Sequence, residues 1–139
     1  MRAVRSRLRL APWSLFAAAC AFVPAGAANA QPVGASGCWQ VAMQFGTFGQ
    51  VPALVSLETR AGVLIGMFRG PGGRAQPIDR GAQRGADVTF EVAAAHGRMR
   101  FDARIDGDSM SGWIHVERQG RMPFRATRAP GDVCVRGHP

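Results

Sequence analysis

The sequence predicts an all-β protein: an eight-stranded antiparallel up-and-down meander that closes into a small barrel with one disulfide. Three observations predict this fold class. Apolar and polar residues alternate with a period of two in eight successive segments, turn-forming sequences separate those segments, and no stretch beyond residue 30 carries an apolar stripe at helical spacing. A meander with one apolar face leaves two unpaired strand edges, and closure into a barrel removes both.

Eight segments are predicted to be strands. They cover residues 37–45, 51–58, 62–68, 75–80, 87–92, 98–105, 110–116 and 122–126. The sequences TRAG, GPGG, HG, DGDS and RQG lie between strands, and their Gly, Pro and Asp residues favour tight hairpin turns. Each strand would therefore pair with the next one along the chain.

Two hairpins allow the pairing to be predicted residue by residue. A four-residue loop in DGDS places Phe101 opposite Ile114. A three-residue loop in RQG then places Ile114 opposite Phe124, and on the other face it sets Arg125 opposite Trp113 as a cation–π pair. Both registers put the apolar residues on one face of the sheet.

The first thirty residues are typical of a secretory signal peptide. Four arginines precede an apolar stretch at residues 10–23, and Ala28-Asn29-Ala30 matches the pattern before a signal-peptidase cleavage site. We therefore expect a secreted or periplasmic protein, cleaved after Ala30. The sequence AAAC, which ends at Cys20, resembles a bacterial lipobox and predicts the alternative, a lipoprotein anchored to a membrane through that cysteine.

Beyond residues 1–30, the predicted signal peptide, the sequence divides into three parts. A short N-terminal arm covers residues 31–36, the barrel domain covers 37–130, and a C-terminal tail covers 131–139.

Two cysteines remain once the predicted signal peptide is removed. Cys38 opens the first strand, and Cys134 lies in the C-terminal tail. An even number of cysteines in an oxidising compartment predicts a disulfide, which would fasten the first and last strands side by side. A reactive thiol needs an activating neighbour such as a histidine or a CxxC motif, and neither is near Cys38 in the sequence.

The opening of the first strand carries a family resemblance. Gly37-Cys38-Trp39 resembles the G-x-W motif of the calycin barrels, the group of lipocalins and avidin-like proteins. In that group a basic residue near the end of the last strand packs over the tryptophan, which implies that role for Arg128 in FRATR. The sequences GVLIGMF and DARIDGDSMSG are similar to a small barrel module of uncharacterised bacterial exported proteins. The polar and aromatic biotin contacts of avidin-like proteins are missing, so the resemblance implies a shape and no ligand.

The inner face of the predicted barrel is rich in large apolar residues. They would form either a filled core or the lining of a pocket, and eight of them are candidates for pocket lining: Val41, Met43, Phe45, Phe90, Met99, Phe101, Ile114 and Phe124. Met67 is predicted to share this face. Small residues such as Gly112 lie there too, and they would either leave a modest cavity or let a narrow barrel close.

Sequence features that suggest chemistry have simpler explanations. Ser109, Asp106 and Asp108 fit a hairpin turn, because the triad of a serine hydrolase and the full ligand set of a calcium loop are missing around them. The histidines at 96, 115 and 138 lack metal-ligand spacing. The glycine-rich loop at 69–77 lacks the helix and the Lys or Ser/Thr of a phosphate cradle.

The charge of the chain does not indicate a nucleic-acid partner. All seventeen basic residues are arginine, and four lie in the predicted signal peptide, which leaves thirteen against nine acidic residues and a net charge of +4. No stripe of arginines interleaved with stacking aromatic residues occurs in the chain.

We therefore expect an exported binding module, without catalytic residues, metal or cofactor, that holds a small apolar ligand inside its barrel. The alternative is a periplasmic protein-interaction or enzyme-inhibitor module. Some bacterial periplasmic protease inhibitors are similar in design, because they combine an export signal, a G-x-W barrel, one disulfide and an N-terminal arm that enters the target. Residues 31–36 would be that arm.

Overall fold

A computed structural model describes residues 34–95 and 97–137. The predicted signal peptide at 1–30, the alternative lipidation site at Cys20 and the first three residues of the arm lie outside the described residues, as do His96 and His138. The described residues form one closed barrel of eight antiparallel strands in meander order. The predicted fold class is confirmed.

The strands and helices follow each other along the chain without crossovers. The strands are β1 (Gly37–Gln44), β2 (Gln50–Arg60), β3 (Val63–Arg69), β4 (Ala75–Arg84), β5 (Asp87–Ala94), β6 (Gly97–Asp106), β7 (Ser109–Val116) and β8 (Gly120–Ala129). A short 3-10 turn, Gly46–Phe48, joins β1 to β2, and one helix, α1 (Gly131–Arg136), follows β8. None of the helices in the described part of the chain has the length and apolar character needed to cross a bilayer.

Pairing of the first strand with the last closes the barrel. β1 and β8 run antiparallel, with Cys38 opposite Ala129 at one end and Met43 opposite Phe124 at the other. Each strand therefore has two hydrogen-bonded neighbours, and the sheet has no free edge.

The two registers predicted from the hairpins have different outcomes. The β6–β7 register is as predicted, with Phe101 opposite Ile114. The β7–β8 register is wrong, because Ile114 pairs with Met122, and Trp113 pairs with Pro123 rather than with Arg125. The loop begins one residue earlier than predicted, which moves every partner by two positions. A shift of two leaves each residue on its original face, so the alternation of apolar residues cannot detect it.

Large aromatic side chains fill the centre of the barrel. Phe101 stacks on Phe90 with ring centroids 4.5 Å apart, and it meets Phe124 edge-on at 5.4 Å and Phe68 at 5.7 Å. These four residues come from four different strands, so the cluster ties opposite sides of the barrel together. Offset and edge-to-face arrangements of this kind are the favourable ones for aromatic rings.

The third strand faces the opposite way from the prediction. Leu64 and Phe68 are buried in the core, whereas Met67 is 42% exposed on the outer face together with Ile65 and Val63. The prediction that Met67 faces the interior is wrong. β3 is apolar on both faces, so its sequence carries no alternation that could distinguish inside from outside.

The C-terminal segment predicted to be a tail instead contains α1, which packs on the outer wall at β1 and β2. The predicted disulfide is present, with the sulfurs of Cys38 and Cys134 2.04 Å apart. Cys134 lies in α1, so the bond holds the helix against β1 rather than joining β1 directly to β8. On the outer face of β2, one of the two strands that α1 contacts, Leu54 is only 2% exposed.

We predict that the barrel survives loss of the disulfide at reduced stability. Replacing both cysteines, Cys38→Ser with Cys134→Ser, should lower the free energy of unfolding by about 2–5 kcal/mol, because the bond closes a loop of most of the described chain. The β1–β8 pairing does not depend on it. Urea unfolding measures the loss, and an unchanged far-UV circular dichroism spectrum shows that the sheet remains. A variant without sheet structure would contradict this account.

Candidate functional site

The eight residues proposed as pocket lining belong to a packed core. Seven of them are at most 8% exposed, and Phe45, which lies just beyond the end of β1, packs against the same core. The exposure of Phe101 and Ile114 is 0%, and that of Phe90 is 2%. A cavity that held even one water molecule would leave accessible surface on the side chains around it. Of the two alternatives left open by the sequence, the contacts favour the filled core.

Gly112 shows how the walls come close enough for the interior to be filled. A Cβ atom at this position would overlap the carbonyl oxygen of Asp102 and the Cα atom of Ala103 on the neighbouring strand β6. The small residue therefore permits close approach of two strands, and the volume it leaves is occupied by backbone.

One end of the barrel, which we call the Trp39 end, is closed by the G-x-W motif and the chain before it. The Trp39 indole is 0% exposed, and its Nε1 donates a hydrogen bond of 2.8 Å to the carbonyl oxygen of Ala35. Ala35 is also fully buried, and its backbone N–H donates to the side chain of Gln83 at 3.2 Å. The segment from Gly34 to Ser36 thus covers the end of the core.

Arg128 holds this end together, in the position that the calycin resemblance implied. Its guanidinium carbon lies 4.3 Å from the centre of the Trp39 ring. Its two terminal nitrogens donate to the carbonyl oxygens of Ser36 at 2.7 Å and Gly34 at 2.9 Å, and Nε donates to Asp108 at 3.1 Å. The planar fork of arginine makes these three bonds and the ring contact at the same time.

The close approach of Arg128 explains why the motif has a glycine at position 37. Gly37 adopts a φ of 135°, and a Cβ there would lie 2.8 Å from a terminal nitrogen of Arg128. A larger residue would therefore displace the guanidinium from its ring and carbonyl contacts. Gly37, Trp39 and Arg128 form one structural unit that holds residues 34–36 in place.

In the described part of the chain, Ser109, Asp106, Asp108 and His115 form structural contacts. Ser109 Oγ donates to the carbonyl oxygen of Asp106 at 2.9 Å, which is a turn hydrogen bond, and Asp108 pairs with Arg128. His115 lies 3.3 Å from Asp102 on the outer wall. Among residues 34–95 and 97–137, no three histidine, cysteine or acidic side chains lie close enough to hold a metal ion.

The outer face of β4, β5 and β6 carries charged side chains in pairs, and we call it the charge-paired wall. Arg98 contacts Glu91 at 2.9 Å and Asp79 at 3.9 Å, and Arg104 contacts Asp87 at 3.0 Å. Two open depressions of about 340 and 390 Å³ lie at this wall and its border with β7. Their charges are largely neutralised by neighbours within the protein.

The opposite side of the barrel has a different surface, which we call the amide wall. It comprises the outer face of β1, β7 and β8 with the start of β2, and its polar or aromatic residues are Gln40, Gln44, Gln50, Ser111, Trp113, Arg125 and Thr127. Two adjoining depressions of about 450 and 380 Å³ lie there, and no acidic residue lines either of them. The sequence analysis missed this surface because it brings together residues from both ends of the chain.

The outer face of β3 presents three large apolar side chains in a row, which we call the apolar stripe. Val63 is 53% exposed, Ile65 39% and Met67 42%. The signal for this surface was present in the sequence, since a strand that is apolar on both faces must leave one of them outside the barrel or under another element. No described element covers these three residues.

The barrel was also compared with known proteins. No family model, no characterised protein and no solved structure matches the chain significantly. The closed eight-stranded antiparallel barrel is consistent with a calycin-like fold.

We predict that Arg128 stabilises the barrel through its geometry as well as its charge. Arg128→Lys keeps the charge but loses the fork, and it should lower the free energy of unfolding by about 1–3 kcal/mol. Arg84→Lys is the matched control, because Arg84 is exposed and forms no ion pair within the described residues. Urea unfolding followed by tryptophan fluorescence measures both variants, and equal losses in the two would contradict the assigned role.

Proposed function

We propose that this chain is an exported, non-enzymatic binding module with a calycin-like barrel that docks onto another protein through its outer surface. The apolar stripe carries the proposal. Three neighbouring large apolar side chains on one strand, each between 39% and 53% exposed, form a contiguous apolar patch, and such patches often mark protein-interaction surfaces.

The surroundings of the apolar stripe fit the anatomy of an interface. On one side, Ile65 lies opposite Glu58, which is ion-paired at 2.8 Å with Arg60. The hydrogen bond and the charge of Glu58 raise the pKa of Arg60. On the other side, Met67 lies opposite the exposed Pro77 of β4. Pro77 extends the apolar centre, and Glu58 with Arg60 forms a charged border on the opposite side, as in docking surfaces that have an apolar centre and a polar rim.

The filled interior supports binding on the outside over binding of a small apolar ligand within the barrel. Such a ligand would have to displace the ring contacts of Phe101 with Phe90 and Phe124. The favoured function is therefore the protein-interaction module. An inhibitor that used the N-terminal arm would have to insert residues before Gly34, because Arg128 and Trp39 hold Gly34, Ala35 and Ser36 against the barrel.

A photo-crosslinking residue in the apolar stripe tests the proposal. With p-benzoylphenylalanine at position 65, irradiation of cells exporting the protein should give an adduct with one defined protein. The same substitution at Thr89, on the outer face of β5, is the control and should give no such adduct. In the protein with p-benzoylphenylalanine at position 65, the additional substitution Met67→Glu should lower the yield of the adduct about tenfold or more. A charged side chain at the centre of an interface weakens the affinity for the partner.

The crosslinking experiment has clear contradicting results. Equal adducts at positions 65 and 89, or no protein adduct at position 65, would overturn the proposal. Thermal unfolding of the Met67→Glu variant is the folding control, and it should match the parent because the side chain is exposed.

We also predict that the interior does not take up apolar probes. Titration with 1-anilinonaphthalene-8-sulfonate should give no saturable fluorescence increase, whereas a lipocalin in parallel should bind the probe. The reason is that the side chains along the barrel axis are already in contact with one another. Saturable one-to-one binding would place a ligand inside the barrel and favour the small-molecule function instead.

A further inference from the structure

The amide wall contains two adjoining depressions of about 450 and 380 Å³. We propose that its two adjoining depressions bind an acidic oligosaccharide, a sugar chain that bears carboxylate groups. The depressions share Ala42, Gln50 and Arg125 and therefore form one continuous surface across β8, β1 and the start of β2. This site goes beyond the proposed function, because it uses a different wall of the barrel from the apolar stripe.

The polar side chains of the amide wall are available to a ligand. Gln40, Gln50, Ser111 and Thr127 form no side-chain hydrogen bond with any residue in the described part of the chain. Within residues 34–95 and 97–137, the side chain of Gln44 has one long hydrogen bond, 3.5 Å, from its Nε2 to the carbonyl oxygen of Gly46. Amide and hydroxyl groups both donate and accept hydrogen bonds, as the hydroxyl groups of a sugar do. This wall therefore offers the hydrogen-bonding groups that a carbohydrate needs.

Arg125 sets the charge of the preferred ligand. Its side chain is exposed and has no ion pair or hydrogen bond with any of the described residues. On the charge-paired wall, by contrast, Arg98, Arg100 and Arg104 each contact a carboxylate. Because no acidic residue lines the depressions, the field at Arg125 favours an anion, and a carboxylate can accept two parallel hydrogen bonds from the guanidinium.

Trp113 adds an aromatic surface beside this cation. Its side chain is 41% exposed, and Arg121 lies over the ring, 4.4 Å from the centroid. Arg121 also lacks an ion pair with the described residues, so it adds a second positive charge near the first depression. The indole edge, the amides and the two guanidinium groups together form a shallow surface with a net positive charge.

Two features favour a sugar chain over an acidic peptide at this site. A peptide that binds by strand addition needs a free sheet edge, and this closed barrel has none. A peptide held by apolar side chains needs deep apolar sockets, whereas the exposed or partly exposed apolar residues at these depressions are Ala42, Pro52, Pro123 and Trp113, and the other apolar lining residues, Val41, Phe124 and Ala126, are at most 3% exposed. A shallow surface that mixes polar and apolar area and carries an exposed aromatic residue suits the polar and apolar faces of a sugar ring.

Calorimetric titration of the secreted protein with three carboxylated oligosaccharides tests the site. The probes are oligogalacturonate, oligomannuronate and a hyaluronate fragment. A cello-oligosaccharide is the control for an uncharged sugar, and poly-glutamate is the control for an acidic polypeptide. At least one carboxylated sugar should bind saturably and more weakly as salt concentration rises. Fluorescence quenching by acrylamide gives a second readout, since Trp113 is 41% exposed and Trp39 is fully buried. Bound ligand should protect Trp113.

Substitutions locate the binding. Arg125→Gln should weaken the sugar affinity about tenfold or more, because it removes a charged hydrogen-bond donor. Arg84→Gln removes another exposed arginine, one that lines neither depression, and should leave the affinity unchanged. Equal midpoints of thermal unfolding for the two variants and the parent would show that the substitutions do not affect folding.

Several results would overturn the proposal. The proposal is wrong if no carboxylated sugar binds, or if the neutral cello-oligosaccharide binds equally well. It is also wrong if poly-glutamate binds preferentially, or if Arg125→Gln and Arg84→Gln change the sugar affinity equally. None of these results bears on the crosslinking at position 65, so failure of this site and failure of the proposed protein-docking function can be told apart.

Discussion

The pairing of β1 with β8 is the constraint on which the rest of this structure depends. Once Met43 lies opposite Phe124, every strand has two neighbours and the sheet has only one inside and one outside. Eight strands enclose a space that side chains alone can fill, and here Phe90 and Phe101 stack at its centre. The interior is therefore occupied by side chains, and the barrel has no free edge.

The seam between β1 and β8 is supported from both sides of the sheet. Inside the barrel, Trp39 from β1 packs against Arg128 from β8, which also binds the backbone before β1. Outside, Cys38 bonds to Cys134 in α1, which lies over the start of β1. The two devices are independent, since one acts through hydrogen bonds and a ring contact and the other through a covalent bond. Both hold chain ends that would otherwise fray.

The outer wall is divided into three surfaces of different chemistry. The charge-paired wall neutralises its own charges, the apolar stripe presents hydrophobic area, and the amide wall presents polar groups and an arginine that has no acidic partner among the described residues. In a barrel the inward residues of each strand are constrained by packing, whereas the outward ones are free to differ from strand to strand. One core can therefore support outer surfaces of different chemistry.

The sequence by itself determined the class of fold, the number of strands, the β6–β7 register and the cysteine pair, because these depend on local alternation, turn residues and cysteine count. Only the tertiary structure decided the β7–β8 register, the direction of β3, the position of α1 and the filling of the interior. A two-residue shift in register leaves the alternation of apolar and polar residues unchanged, and a strand that is apolar on both faces has no such alternation. The interior volume depends on how closely all the strands approach one another. Each of these is a property of several distant segments at once, which no single stretch of sequence records.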